Sequence, residues 1–171
     1  MNFDEFKKQN KPPNVPLQHP NPPQQPPRVP PPAAASQIPP GGLPAGYLAN
    51  GYFDEKGYIL PQVVVNWPKD ISQKLDSAYP SMNVSQLRKF FTEVRHIEGQ
   101  LSVGKNFDSL KGRVLKLDAY AADARKKNGV PEIFKQFIEQ NLKWAVRTEK
   151  DFVSGFVPHF ESIVAYFPKK Q

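Results

Sequence analysis

Three cations and one tyrosine recur at helical spacing between residues 113 and 127. Counted from the first, they stand at i, i+3, i+7 and i+14: Arg113, Lys116, Tyr120 and Lys127. On a helix with about 100° per residue, they fall within about 60° of one another. Lysine and arginine neutralise phosphates, and a tyrosine stacks on bases or donates to phosphate oxygens. The stripe therefore predicts contacts with a nucleic-acid backbone.

Other basic residues extend this pattern on the same helix and the helix before it. Arg88 and Arg95 are one heptad apart, and Lys89 follows the first of them. Residues 125–127 form a further basic cluster. The same residues also fit a solvated surface with Glu–Lys pairs, and spacing alone does not decide between the two. The candidate RNA-binding residues are Arg88, Lys89, Arg95, Arg113, Lys116, Tyr120, Arg125, Lys126 and Lys127.

No residue pattern in the chain suits catalysis. The sequence has no cysteine, which leaves out disulfides, thiolate metal sites and a cysteine nucleophile. Its three histidines, His19, His96 and His159, belong to no HExxH or His/Asp cluster. It also has neither a phosphate-binding glycine loop nor a GxSxG elbow. We therefore predict that the chain is not an enzyme and needs no cofactor and no metal.

Helical spacing of apolar residues dominates the second part of the chain. From Asp70 onward they recur at i, i+3 and i+4 in five stretches, starting near residues 70, 83, 108, 131 and 152. Asn83 is placed to cap the second helix, Asn128 to end the third and Pro131 to open the fourth. Pro158 predicts a kink or a new start in the last. The predicted fold class is all-α, a small bundle of about five helices preceded by a disordered proline-rich N-terminal tail.

Proline content divides the chain into parts. Of 20 prolines, 14 fall between Pro12 and Pro44, and each one fixes φ and removes an amide donor. We predict three regions: a disordered proline-rich tail at 1–46, an extended or turn segment at 47–69 that docks on the domain, and the helical bundle at 70–171. The tail fits a spacer better than a ligand for proline-binding grooves, because PxxP is nearly unavoidable in such a composition.

Charge and hydropathy indicate the surroundings of the protein. The formal net charge is +7, and the residues after Lys69 include 17 basic and 12 acidic ones. This surplus fits a nucleic-acid or acidic-protein partner. No apolar run approaches the roughly 20 residues of a membrane span, and the first residues lack the pattern of a signal peptide. We predict a cytoplasmic protein that contacts no membrane.

Three sequence blocks resemble one known family. They are VSQLRKFFTEV at 84–94, KLDAYAADAR at 116–125 and FVSGFVPHFESIVAY at 152–166. In order and spacing they resemble the small subunit of the type III-A CRISPR (Csm) effector complex. Three positions depart from the family pattern: Ala124 stands where the family often has glycine, Ser162 where it has alanine, and Pro158 interrupts the last helix.

This resemblance implies a non-catalytic RNA-binding structural subunit that serves antiviral defence. Family members stack in several copies along a filament of backbone subunits that carries the CRISPR RNA, and they line the groove that holds the guide–target RNA duplex. The implied partners are CRISPR RNA, target RNA, the backbone RNase subunit, the large polymerase-like subunit and further copies of the chain. The resemblance also implies that Arg88, Lys116 and Arg125 face RNA and that Tyr166 is a packing residue.

Other functions remain compatible with the residues themselves. The main alternative is a helical protein–protein adaptor with a proline-rich ligand tail and no nucleic acid. The small subunit of the sister type III-B complex is a second, and an enzyme with an unrecognised site is a third.

Overall fold

The computed structural model describes residues 42–168, which fold into five α-helices. The helices are α1 (Trp67–Ser77), α2 (Val84–Ser102), α3 (Phe107–Lys126), α4 (Glu132–Ala145) and α5 (Val157–Tyr166). Within the described residues there is no β-strand, only an isolated bridge between Phe53 and Ile59. None of these helices is long and apolar enough to cross a membrane. The all-α prediction of about five helices is confirmed, while the tail prediction for 1–46 lies outside the described residues except at 42–46.

Local hydrogen bonds set the helix boundaries. The Asn83 side chain accepts from the Gln86 amide at 2.8 Å, and the Gln86 side chain accepts from the Asn83 amide at 2.9 Å. This reciprocal pair is a capping box, and it starts α2. Beyond α3, Asn128 adopts a left-handed conformation with φ of 51°, and Pro131 directly precedes α4. The predictions at Asn83 and Asn128 are confirmed, and α4 begins one residue after Pro131, at Glu132.

Two helices are preceded by a π-helical turn that runs directly into them. Gln62–Asn66 continues into α1, and Asp151–Phe156 continues into α5. Pro68 and Pro158 lie in the first turns of α1 and α5, directly after the π turns, and each lacks an N–H to bond back to the preceding turn. The segment over 47–69, which we expected to be extended or a turn, is helical from Gln62 onward.

A cluster of phenylalanine rings forms the centre of the core. Phe134, Phe137, Phe156 and Phe160 are each fully buried. The Phe160 ring centroid lies 5.1 Å from that of Phe137, 5.4 Å from that of Phe91 and 5.8 Å from that of Phe156. The aromatic face of the last helix is thus buried within this domain.

The segment before the first helix completes the core. Leu48 and Tyr52 are only 2% and 1% exposed. The Tyr52 hydroxyl donates to the Asn141 side chain of α4 at 2.9 Å. At the start of the described residues, the Lys74 ammonium of α1 donates to the Gly42 carbonyl at 2.9 Å. Residues 42–61 thus pack against the helices through both apolar and polar contacts.

Gly155 and Gly112 should respond oppositely to replacement by alanine. A Cβ at Gly155 would lie 2.4 Å from a Tyr52 ring carbon, whereas a Cβ at Gly112 in α3 meets nothing within 4 Å. We expect Gly155→Ala to lower the free energy of unfolding by about 1–3 kcal/mol or more through overpacking. Gly112→Ala should raise it by about 0.5–1 kcal/mol, because alanine is the better helix former. Urea denaturation followed by circular dichroism measures both; equal effects of one sign would contradict this account.

Candidate nucleic-acid interface

A surface cleft of about 580 Å³ lies between α2 and α3. We call it the α2–α3 cleft. Its apolar lining comes from Phe90, Tyr120, Ala124 and Val130. The polar side chains that line it are Gln86, Lys89, Glu93, Asp123 and Lys127. Three of the nine predicted binding residues, Lys89, Tyr120 and Lys127, therefore meet in one concave surface.

Two cross-links hold the α2–α3 cleft. At one end the Gln86 side-chain amide donates to the Gly129 carbonyl at 2.5 Å. Further along α2, the Arg113 guanidinium donates to the Glu93 carboxylate at 2.7 Å, and both side chains are about one-third exposed. Since each contact joins α2 to α3 or to the residues just after it, the two together fix the separation of the walls.

The cations around the cleft differ in how they are neutralised. Arg113 is paired with Glu93, and Lys127 lies 2.7 Å from Asp123 within α3. Lys89 and Lys116 are exposed and form no ion pair with any residue in the described range. Their charge is therefore available to an anionic partner, and Lys116 lies one helical turn before Tyr120 on α3.

Arg88 and Arg95 lie away from the cleft. Arg88 comes two residues before Phe90, and Arg95 comes two residues after Glu93; both Phe90 and Glu93 line the cleft. Two positions along a helix correspond to about 160° around its axis. Both arginines are exposed, and Arg95 is paired with Glu98 at 2.6 Å. The structure thus places these two arginines on the opposite side of α2 from the predicted stripe of α3.

The basic cluster at the end of α3 is also divided. Arg125 turns toward the start of α4, where its guanidinium contacts Glu132 at 3.1 Å and the Asn128 side chain at 3.3 Å. Lys126 is exposed and does not line the cleft. Of this cluster only Lys127 does. The trio Arg88, Lys116 and Arg125 does not share one surface.

Comparison with protein-family models decides the identity. The family model described as Csm2 Type III-A matches residues 62–170. The chain belongs to this family. No curated protein and no solved structure is significantly similar to the chain.

The Csm2 Type III-A assignment confirms the resemblance drawn from three short blocks. It makes the chain a small structural subunit of the type III-A CRISPR (Csm) complex, which it shares with other subunits. The matched region contains all five helices and every residue of the α2–α3 cleft. It begins after Leu48 and Tyr52, so the core of this Csm2 chain includes residues upstream of the matched region.

A buried polar network in this Csm2 chain escaped the sequence analysis. Tyr47 donates to His159 Nε2 at 2.6 Å and accepts from the Asn141 amide at 2.6 Å. His159 Nδ1 donates to the Val63 carbonyl. The network joins three parts of the chain that are distant in sequence: the segment before α1, helix α4 and helix α5. Helical spacing within one element could therefore not indicate it.

Burial keeps His159 neutral in this network. The side chain is fully buried, and desolvation lowers its pKa to about 4 in spite of the hydrogen bond to Val63, which acts in the opposite direction. The same desolvation raises the pKa of Tyr47 and of Tyr52. Among residues 42–168, no group of three or more His, Cys, Asp or Glu side chains could hold a metal ion.

The apolar part of the cleft was also not singled out from the sequence. Phe90 and Ala124 are half-buried, and Val130 is buried, so in the helical patterns they count as ordinary core residues. One available signal was the pair Phe90–Phe91, because adjacent side chains on a helix diverge by about 100° and cannot both point at the centre of the core. Phe91 packs on Phe160, whereas Phe90 both contacts Phe134 and lines the cleft.

Proposed function

We propose that this chain is a non-catalytic RNA-binding subunit that lines the guide–target RNA groove of the type III-A CRISPR complex in antiviral defence. The observation that carries the proposal is the position of Lys89 and Lys116. These are two exposed lysines without an acidic partner in the described range, on the two helices whose cleft displays Tyr120. Such cations bind phosphates without reading sequence.

The residues of the interface favour binding over catalysis. The described histidines are His96, which contacts Gln100 on the surface of α2, and the buried His159. Neither lines the α2–α3 cleft. The cleft carboxylates Glu93 and Asp123 are engaged with Arg113 and Lys127, an arrangement that suits positioning better than proton transfer.

The other predicted residues take secondary positions in this proposal. Arg88, Arg95, Arg125 and Lys126 lie outside the cleft, and we propose that they strengthen the positive potential toward RNA from neighbouring surfaces. The partners that we propose are CRISPR RNA and target RNA, the backbone and large subunits, and further copies of the chain. The compartment that we propose is the cytoplasm.

Removing Lys89 and Lys116 should weaken RNA binding at every sequence. For the full chain, we expect Lys89→Ala/Lys116→Ala to bind single-stranded RNA about tenfold more weakly near 0.1 M salt. The slope of log K against log salt should fall by about 0.7 for each lost contact. Fluorescence anisotropy with two RNAs of unrelated sequence measures both, and circular dichroism should find unchanged helicity.

The matched control is Lys56→Ala/Lys143→Ala. It removes the same charge from two exposed lysines that lie on neither α2 nor α3. If both double variants weaken binding equally, the α2–α3 cleft is not the contact surface. If the unmodified chain binds no RNA at any salt concentration, the adaptor function becomes the better explanation.

A further inference from the structure

We propose that the α2–α3 cleft holds one unpaired nucleobase of the bound RNA, stacked on Tyr120. This inference rests on the proposed RNA-binding function and names the part of the RNA that this site takes. It differs from a backbone contact because it requires a base whose flat face is free.

The shape and the lining of the cleft carry the first step. Its volume of about 580 Å³ falls within the range of roughly 300–1,000 Å³ that is typical of sites for small molecules. Phosphate contacts require only cations, so they leave the apolar surface of Phe90, Ala124 and Val130 without a role. The apolar lining therefore indicates a ligand that has an apolar face as well as a charge.

Tyr120 supplies the second step. Its side chain is 50% exposed, and no hydrogen bond or ring contact engages it within the described residues. An exposed ring beside an apolar surface suits stacking with a nucleobase. Paired bases inside a duplex do not present their faces, so the base must be unpaired.

The polar rim supplies the third step. Lys89 is exposed at the cleft and can pair with the phosphate attached to the bound base. Glu93 and Asp123, which also line the cleft, each pair with a cation through one carboxylate oxygen, and the second oxygen of each can only accept hydrogen bonds when ionised. They therefore complement the exocyclic amino groups of adenine, cytosine or guanine, which uracil lacks.

The test compares two RNA duplexes of the same length and sequence, one fully paired and one with a single bulged adenosine. We expect the full-length chain to bind the bulged duplex about five- to tenfold more tightly, as one stacked base contributes. A bulged uridine should give a smaller gain. Tyr120→Ala should remove the preference, whereas Tyr120→Phe keeps the ring and should retain it.

Two controls separate the base from the backbone. Tyr58→Ala removes a tyrosine that is 70% exposed outside the cleft, and it should leave the preference unchanged. The salt slope should be the same for the unmodified chain and for Tyr120→Ala, because the lysines remain. A 2-aminopurine at the bulge should change its fluorescence on binding to the unmodified chain but not on binding to Tyr120→Ala.

Each outcome has one meaning. If the bulged and paired duplexes bind equally and with the same salt dependence, the base site is refuted while the proposed RNA-binding function stands. If a preference for the bulge survives Tyr120→Ala, the base binds elsewhere and the inference also fails. If neither duplex nor single strand binds, the proposed function itself fails.

Discussion

Phe160→Ala should lower the free energy of unfolding by about 3–5 kcal/mol, which is the usual cost of a large-to-small change at a phenylalanine in a core. The Phe160 side chain is fully buried, and its ring contacts four others, from α2, α4 and the π turn before α5: Phe91, Phe134, Phe137 and Phe156. Because these rings belong to three different elements, they cannot all shift to fill the space. Urea denaturation followed by circular dichroism on the helical signal gives the value.

The control for this variant is a tyrosine on the surface. Tyr58 is 70% exposed, so Tyr58→Ala should change the free energy of unfolding by less than about 0.5 kcal/mol. If Phe160→Ala costs no more than this control, the ring cluster does not form the centre of the core. In that case the last helix must find its apolar partner elsewhere.

The protein should lose stability as the pH falls from about 6.5 to about 4, through the titration of His159. Its pKa in the folded state is lowered to about 4 by burial, from an ordinary value of 6.5. The unfolded chain therefore takes up a proton at a pH where the folded chain does not, and this uptake favours unfolding. Across the whole window we expect His159 alone to remove about 3 kcal/mol of stability.

The geometry of the network explains the sign of this effect. His159 Nε2 accepts from the Tyr47 hydroxyl, and Nδ1 donates to the Val63 carbonyl. A proton on Nε2 would place a donor opposite a donor, inside a site with no access to water. Chemical denaturation at intervals between pH 7.5 and about pH 4 measures the slope.

Two histidine variants isolate the contribution of this network. His159→Gln should be less stable than the parent at pH 7.5, because it loses buried hydrogen bonds, but its stability should depend less on pH. His96→Gln changes an exposed histidine and should reproduce the pH profile of the parent. An unchanged slope in His159→Gln would mean that other groups cause the acid sensitivity.

Local sequence signals predicted the helices well, because caps and prolines act over a few residues. Asn83, Asn128 and Pro131 mark boundaries through contacts within one turn of the chain. The π-helical turns were missed, since Val63 in a run of three valines suits a strand as well as a helix. In the fold its side chain is fully buried and its carbonyl accepts from His159, and both are tertiary contacts that local sequence does not reveal.

Part of the candidate site could be predicted from the sequence, because helix geometry is also local. The spacing of Lys116, Tyr120 and Lys127 predicts one stripe, because the angle around a helix depends on spacing alone. In the structure Tyr120 and Lys127 line the α2–α3 cleft, and Lys116 does not. Spacing does not say which neighbouring helix faces that stripe. The partnership of α3 with the Lys89 side of α2, and not with its Arg88 side, depends on the packing of the whole bundle.

The polar network also constrains the time at which the domain can close during translation. Tyr47 and His159 are separated by 112 residues, and Tyr52 and Asn141 by 89. At a synthesis rate of about 5–20 residues per second, the ribosome takes roughly 5–20 s to reach His159 after Tyr47. Throughout that interval the apolar side chains of Leu48 and Tyr52 have no completed site, so nascent chains should be recognised by chaperones until α5 emerges.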